Sequence, residues 1–136
     1  MDRKFSVAIH ILLFLATTDE QATSQRLAES VGTNGSFIRK MMSPLKEAGL
    51  IESSQGQSGF VLKKVPKDIY LSDVYQALNP DKALLHTHEH PNPACPLGKR
   101  VLGVIQPVFS QVDKRFLASL EEISLQQLID DLYQKG

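Results

Sequence analysis

The sequence predicts a mainly α-helical fold that carries one small β-hairpin and closes with a long helix in its C-terminal half. Apolar residues recur at three-four spacing through most of the chain, the signature of amphipathic helices. Two short extended runs flank the glycine-bearing stretch Gln55-Gly56-Gln57-Ser58-Gly59, which reads as a hairpin. From Pro96 onward, Leu97, Val101, Val104, Ile105, Val108, Val112, Phe116 and Leu120 hold close to a heptad seam.

Each element has a local cause. Phe5, Ala8, Ile9, Leu12, Leu15 and Ala16 share one face of a first helix, and Val7, Ile11, Leu13 and Phe14 make its flanks apolar too, so it is expected to be mostly buried. His10 lies within it and reads as a satisfied core histidine. Thr23 or Ser24 supplies a hydroxyl cap for a short second helix through Ser30, which Gly32 stops. Asn34 caps a third helix that runs to about Ala48 and ends at Gly49. Pro44 sits inside it, where the missing N–H and the clash with the Lys40 carbonyl predict a bend or a loosened last turn. Leu50 to Ser54 and Phe60 to Lys64 are the two strands, and Pro66 breaks the second. Leu71, Val74, Tyr75 and Leu78 mark a fourth helix. The stretch from Lys82 to Pro93 is irregular and reads as a loop. Pro96 suits the first position of the long helix, and Pro107 should kink it near Gly103. Ser124 caps a last helix with Leu125, Leu128, Ile129 and Leu132 on one face.

Composition bounds the function classes. At 136 residues, 42% apolar and 22% charged, the chain is one globular domain or a small domain with an appended element. This excludes a disordered tail, a collagen-like repeat and a disulfide scaffold. The single cysteine cannot close an internal disulfide and points to a reducing compartment. Arg3-Lys4 followed by Val7 to Ala16 resembles the start of a signal peptide, but His10 interrupts the run and no small-x-small cleavage site follows. The run is also shorter than the roughly 20 residues a membrane span needs. The expectation is a cytoplasmic protein with no membrane segment. Basic and acidic residues balance at 15 each, yet unevenly along the chain. Thr33 to Lys64 holds five basic residues against two acidic, a local +3, whereas Val65 to Gly136 holds seven against nine.

The second and third helices fit a helix-turn-helix by position. With Ser24 as the first residue of a twenty-residue window, the fifth is Ala28, small enough for close crossing, and the ninth is Gly32, free to turn. The inward positions fall on Leu27, Val31, Ile38 and Met41; the tenth, expected apolar, is Thr33. The hairpin that follows makes the unit a winged helix. Ser36, Arg39 and Lys40 share one face of the third helix and suit a major groove, because Arg chelates guanine edges and Lys or Ser meets bases or phosphates. Gln55, Gln57 and Ser58 form a small polar wing tip suited to a minor groove or a phosphate. Ser24, Gln25 and Asn34, at the starts of the two helices, complete the candidate DNA-binding set.

Four stretches carry a family resemblance: Thr23-Ser24-Gln25-Arg26-Leu27-Ala28, Asn34-Gly35-Ser36-Phe37-Ile38-Arg39-Lys40, Leu45-Lys46-Glu47-Ala48-Gly49-Leu50-Ile51 and Gly56-Gln57-Ser58-Gly59-Phe60-Val61-Leu62. Together with Leu71-Ser72-Asp73-Val74-Tyr75-Gln76-Ala77 and Cys95-Pro96-Leu97-Gly98, they make the chain similar to the Rrf2 family of bacterial winged-helix repressors, in its cluster-less branch. The resemblance implies a homodimer paired through long C-terminal helices on a palindromic operator of double-stranded DNA. It also implies DNA contacts from Ser36, Arg39 and Lys40 and from the wing. The expected organisation is a DNA-binding domain over 1–66, then a fourth helix, sensor loop and dimerisation helix over 67–136, integrated with the first part.

Cluster-binding relatives carry three cysteines in the loop before the long helix, whereas this chain has only Cys95. A [2Fe–2S] cluster needs four ligands, so no iron–sulfur cofactor is expected. Cys95 precedes Pro96 at the start of the long helix, where the helix dipole and the nearby Lys99 and Arg100 favour a reactive thiol, and it is the candidate redox sensor. Against this stands an inert half-buried cysteine. His86, His88 and His90 have metal-ligand chemistry but no recognised spacing, so a solvated loop is the simpler reading and no metal is expected. Val101, Val104, Ile105, Val108, Val112 and Phe116 are the expected dimer seam. An enzyme is not expected, since no phosphate loop, paired carboxylates or oriented nucleophile is present. The alternatives are a winged-helix interaction module that has lost DNA binding, or a repressor that answers a small molecule or metal.

Overall fold

A computed structural model describes residues 3–56, 58–81 and 83–135. These form six α-helices and one two-stranded antiparallel sheet: α1 (Lys4–Thr17), α2 (Ser24–Val31), α3 (Gly35–Glu47), β1 (Ile51–Ser53), β2 (Phe60–Leu62), α4 (Leu71–Leu78), α5 (Pro96–Glu121) and α6 (Leu125–Lys135). A single 3₁₀ turn, Pro66–Asp68, begins four residues after β2 ends at Leu62, with proline at its first position.

α2 and α3 are capped by short polar side chains. Thr23 rather than Ser24 caps α2, its hydroxyl accepting from the Arg26 N–H (3.1 Å). Asn34 caps α3, Oδ1 accepting from the Phe37 N–H (2.9 Å). Gly32 ends α2 with φ at 86°, a left-handed conformation that costs a side-chain-bearing residue. There the Ala28 carbonyl accepts from both Gly32 (2.8 Å) and Thr33 (2.9 Å), which makes the tight turn before α3.

α3 runs three residues beyond Pro44, to Glu47. Met41, Met42 and Leu45 are buried on both sides of the proline, and that packing offsets the lost backbone bond, a defect of about 3 kcal/mol in an unsupported helix. The strands are shorter than the extended runs, with Ile51 opposite Leu62, Glu52 opposite Val61 and Ser53 opposite Phe60.

One core serves helices from both halves of the chain. Ile11 and Leu12 of α1, Leu27 of α2, Ile38 and Leu45 of α3, Val74 of α4, and Leu125 and Ile129 of α6 belong to the same buried cluster. The return of α6 depends on a contact that periodicity does not reveal. The Leu71 N–H donates to the Ile123 carbonyl (2.9 Å) and the Leu125 N–H to the Ile69 carbonyl (2.7 Å), pairing Tyr70 with Ser124 in an isolated antiparallel bridge. Ser124 also caps α6, accepting from the Gln127 N–H (3.1 Å).

α5 differs from every other helix. It is one 26-residue element running through Pro107, and Leu120 is its only buried residue. One side faces its own chain: Phe116 lies edge-on to Tyr75 (5.1 Å), which lies edge-on to Phe5 (5.4 Å). Asp113 Oδ1 accepts from the backbone N–H groups of Leu84 (3.1 Å) and Leu85 (3.2 Å), fastening the preceding loop to the helix. The adjoining side carries Leu97, Val104, Val108 and Val112, exposed by 70, 68, 56 and 42%. No helix among the described residues is long and apolar enough to cross a membrane.

Candidate nucleic-acid interface

α3 has two chemically distinct faces. Ile38, Met41, Met42 and Leu45 are buried against the core, so the opposite face is presented outward. That face carries Ser36, Arg39, Lys40, Ser43 and Lys46, all exposed. The Arg39 guanidinium folds over the start of its own helix: a Cβ at Gly35 would lie 3.1 Å from Arg39 Nη1, and glycine leaves that space free.

The wing stands beside this face. Gln55 and Ser58 are exposed at its tip; Gln57 lies outside the described residues. The wing's outer edge is tied to the α1–α2 turn, where the Phe60 N–H donates to the Ala22 carbonyl (3.1 Å). Gly59, with φ at 113°, makes this approach possible, since a Cβ there would sit 2.9 Å from the Ala22 carbonyl oxygen. On the α3 side, Lys46 Nζ donates to Ser53 Oγ (3.1 Å) and lies 5.7 Å from the centre of the Phe60 ring.

The other candidate residues are placed as follows. Gln25 is exposed on α2, Ser24 is half-buried at its first position, and the Asn34 side chain is committed to its cap. Arg26 on α2 is engaged by carboxylates, donating to Glu20 (2.8 Å) and Glu29 (3.4 Å). The bonds to Glu20 and then Glu29 hold its guanidinium above the ordinary range. Among the described residues of the helix-turn-helix, the exposed cations without a carboxylate partner are therefore Arg39, Lys40 and Lys46, the last held on Ser53. Ser43 and Lys46 were not singled out from the sequence, although Ser43 lies four residues after Arg39 and Lys46 seven, both on the same helical stripe.

Cys95 belongs to a different region. It is a free, exposed thiol at the residue that caps α5, with its backbone N–H donating to the Asn92 carbonyl (3.2 Å). Along α5, Val104, Val108 and Val112 are exposed, Val101 and Ile105 are half-buried, and Phe116 is turned to Tyr75 of its own chain. His10 is half-buried with Nε2 2.9 Å from Ser30 Oγ. His86 lies 3.8 Å from Asp81, and His90 lies 3.8 Å from Glu89.

A buried helix pair with a tight turn, an outward cationic third helix and a braced hairpin define a winged-helix DNA-binding transcriptional regulator. The comparisons give the family. The family model for Rrf2, described as "Iron-dependent Transcriptional regulator", matches residues 1–131, and the chain belongs to that family. It is 38% identical over 133 residues to YwnA of Bacillus subtilis (strain 168), named an HTH-type transcriptional regulator, covering 98% of this chain and 99% of YwnA. A crystal structure described as a DNA-binding protein superimposes with a TM-score of 0.77 at 35% identity, covering 93% of this chain and 98% of that one. CymR of B. subtilis shares the fold, with a TM-score of 0.68 at 22% identity over 96% of this chain and 95% of its own. These relatives are transcriptional regulators, not enzymes.

The iron in the family's description can be tested against the donors present. The chain has one cysteine, and among the described residues no three His, Cys, Asp or Glu side chains are grouped to hold a metal ion. Cys95 lies at a helix start with its thiol exposed, while His86 and His90 are each close to a single carboxylate. This donor set does not fit an iron–sulfur cluster, which takes four ligands.

Proposed function

We propose that the protein is a homodimeric repressor acting in the cytoplasm on a palindromic operator. Its α3 enters the major groove and its wing reaches the flanking minor groove or phosphates. The observation that carries this reading is the two-faced α3: four buried apolar side chains hold it in place while Ser36, Arg39 and Lys40 face outward together. In this reading residues 1–66 supply the DNA-binding unit and 67–136 supply the loop and the helix that joins two copies. The exposed Leu97, Val104, Val108 and Val112 support α5 as that joining surface, since an apolar stripe this long is covered most economically by its own copy.

The signal in this proposal is oxidation of Cys95. The exposed thiol gives up its proton to solvent and its sulfur attacks a low-molecular-weight disulfide, one thiolate leaves, and a mixed disulfide remains at the start of the dimer helix. Added bulk there tilts one winged unit against the other, and two half-sites at fixed spacing are lost together. A second reading is favoured by an open cleft of about 390 Å³ between the loop and α5, lined by Asp81, His86, Thr87, Ser110, Asp113 and Lys114 among others. A small polar ligand there would act on the same helix.

A gel shift against the DNA upstream of the protein's own gene tests the proposal. Specific retardation by a dimer, abolished by a low-molecular-weight disulfide in the wild type and not in Cys95→Ser, is the expected result. An equal response in both proteins moves the signal to the cleft. No retardation of any DNA leaves a winged-helix interaction module.

A further inference from the structure

Lys46 does more than add charge to the DNA face. Its ammonium donates to Ser53 Oγ at 3.1 Å and lies 5.7 Å from the Phe60 ring centre. Ser53 and Phe60 are opposite each other in the hairpin, and they form the registered pair nearest its tip. One side chain from the last turn of α3 therefore grips both strands of the wing at the end that carries Gln55 and Ser58. Beside this grip lies an open groove of about 400 Å³, lined by Arg39, Met42, Ser43, Glu47 and Phe60 together with Lys46.

A wing of two three-residue strands has little rigidity of its own, so its direction depends on what holds it from outside. Its far edge is fixed by the Phe60 N–H to Ala22 carbonyl bond and its base by the Lys63 N–H to Leu50 carbonyl bond (2.9 Å). The Lys46 grip is the side-chain link on the remaining side.

We propose that Lys46 is a positioning residue for DNA recognition. It sets the angle between α3 and the wing, so that the wing tip meets DNA while Ser36, Arg39 and Lys40 occupy the major groove. The proposal rests on the reading of α3 and the wing as the DNA face, and it separates Lys46 from the lysines that neutralise phosphates. A phosphate-contacting lysine releases counterions and contributes about 0.9 to the salt dependence of binding; a brace to an uncharged serine and a ring contributes none. The wing-tip side chains Gln55 and Ser58 are uncharged, so displacing them also leaves the salt slope unchanged.

The test compares wild type, Lys46→Gln, Ser53→Ala and the double variant by fluorescence anisotropy on operator DNA between 50 and 200 mM salt, alongside thermal melting. These sites are at the surface, and each variant is expected to fold. Each single change should weaken operator binding about fivefold, the scale of one lost hydrogen bond or exposed cation–π contact. The double variant should bind no more weakly than Lys46→Gln, and all slopes should match the wild type. Ser53→Ala keeps every charge, so its loss of affinity is the readout that a phosphate contact would not give. The proposal is overturned if Ser53→Ala binds as wild type while Lys46→Gln lowers the slope by about 0.9. It is equally overturned if melting temperatures fall and affinities do not. A wild type that binds no DNA ends both this proposal and the reading beneath it, whereas the other two outcomes end only this one.

Discussion

α3 and α5 are both amphipathic, and they solve the problem of an apolar stripe in opposite ways. α3 has 13 residues and buries Ile38, Met41, Met42 and Leu45 within its own chain. α5 has 26 residues and buries only Leu120. The shorter helix is finished as the monomer folds: its apolar side is spent, and its polar side is left for a ligand. The longer helix keeps Leu97, Val104, Val108 and Val112 in water, beside a side already occupied by Tyr75 and the loop that Asp113 holds. A helix of the first kind presents side chains on a rigid support. A helix of the second kind is stabilised by what binds it.

The comparison breaks most visibly at Val108. If α5 pairs with a second copy, Val108→Glu puts an unpaired charge into the seam and costs about 3 kcal/mol or more. Sedimentation should then show monomer where the wild type is dimer at micromolar concentration; a wild type that is already monomeric removes the argument. Arg39→Ala probes the other helix. Its loss should cost about 1–3 kcal/mol of operator binding and relax specificity at one base pair per half-site, with no change in sedimentation. Asn34→Ala removes the cap of α3 and should lower stability by about 1 kcal/mol, read as a drop in melting temperature. Asp113→Asn should have the smallest effect on the fold, under about 1 kcal/mol, because the amide oxygen still accepts from Leu84 and Leu85. Hydrogen exchange at those two amides is the measurement, and full protection loss would show that the carboxylate charge is needed.

Much of the winged-helix half was legible in the sequence because its determinants are local. Gly32, Asn34 and the spacing of Leu27, Ile38 and Met41 each act within a turn or two, and the structure places all of them in the expected roles. Pro44 was legible as a defect, but its tolerance was not, since that depends on Met41, Met42 and Leu45 meeting partners from elsewhere in the chain. The bridge between Tyr70 and Ser124 escaped for a similar reason: it pairs single residues more than fifty positions apart and leaves no periodic trace. Phe116 was readable as a member of the α5 stripe, yet its neighbour Tyr75 turns it to its own chain. The Lys46 grip needed the register of the hairpin, which sets Ser53 opposite Phe60.

The central claim is that the outward face of α3 reads DNA sequence. The most direct measurement is the affinity of wild type and Arg39→Ala for an operator selected from random DNA and for a scrambled fragment of equal length, at one fixed salt concentration. The account predicts that the wild type prefers the operator by about 10³-fold or more. It also predicts that Arg39→Ala loses about 10- to 100-fold on the operator and far less on the scrambled fragment. Equal affinity of the wild type for both fragments, or an Arg39→Ala loss that is the same on both, would contradict it.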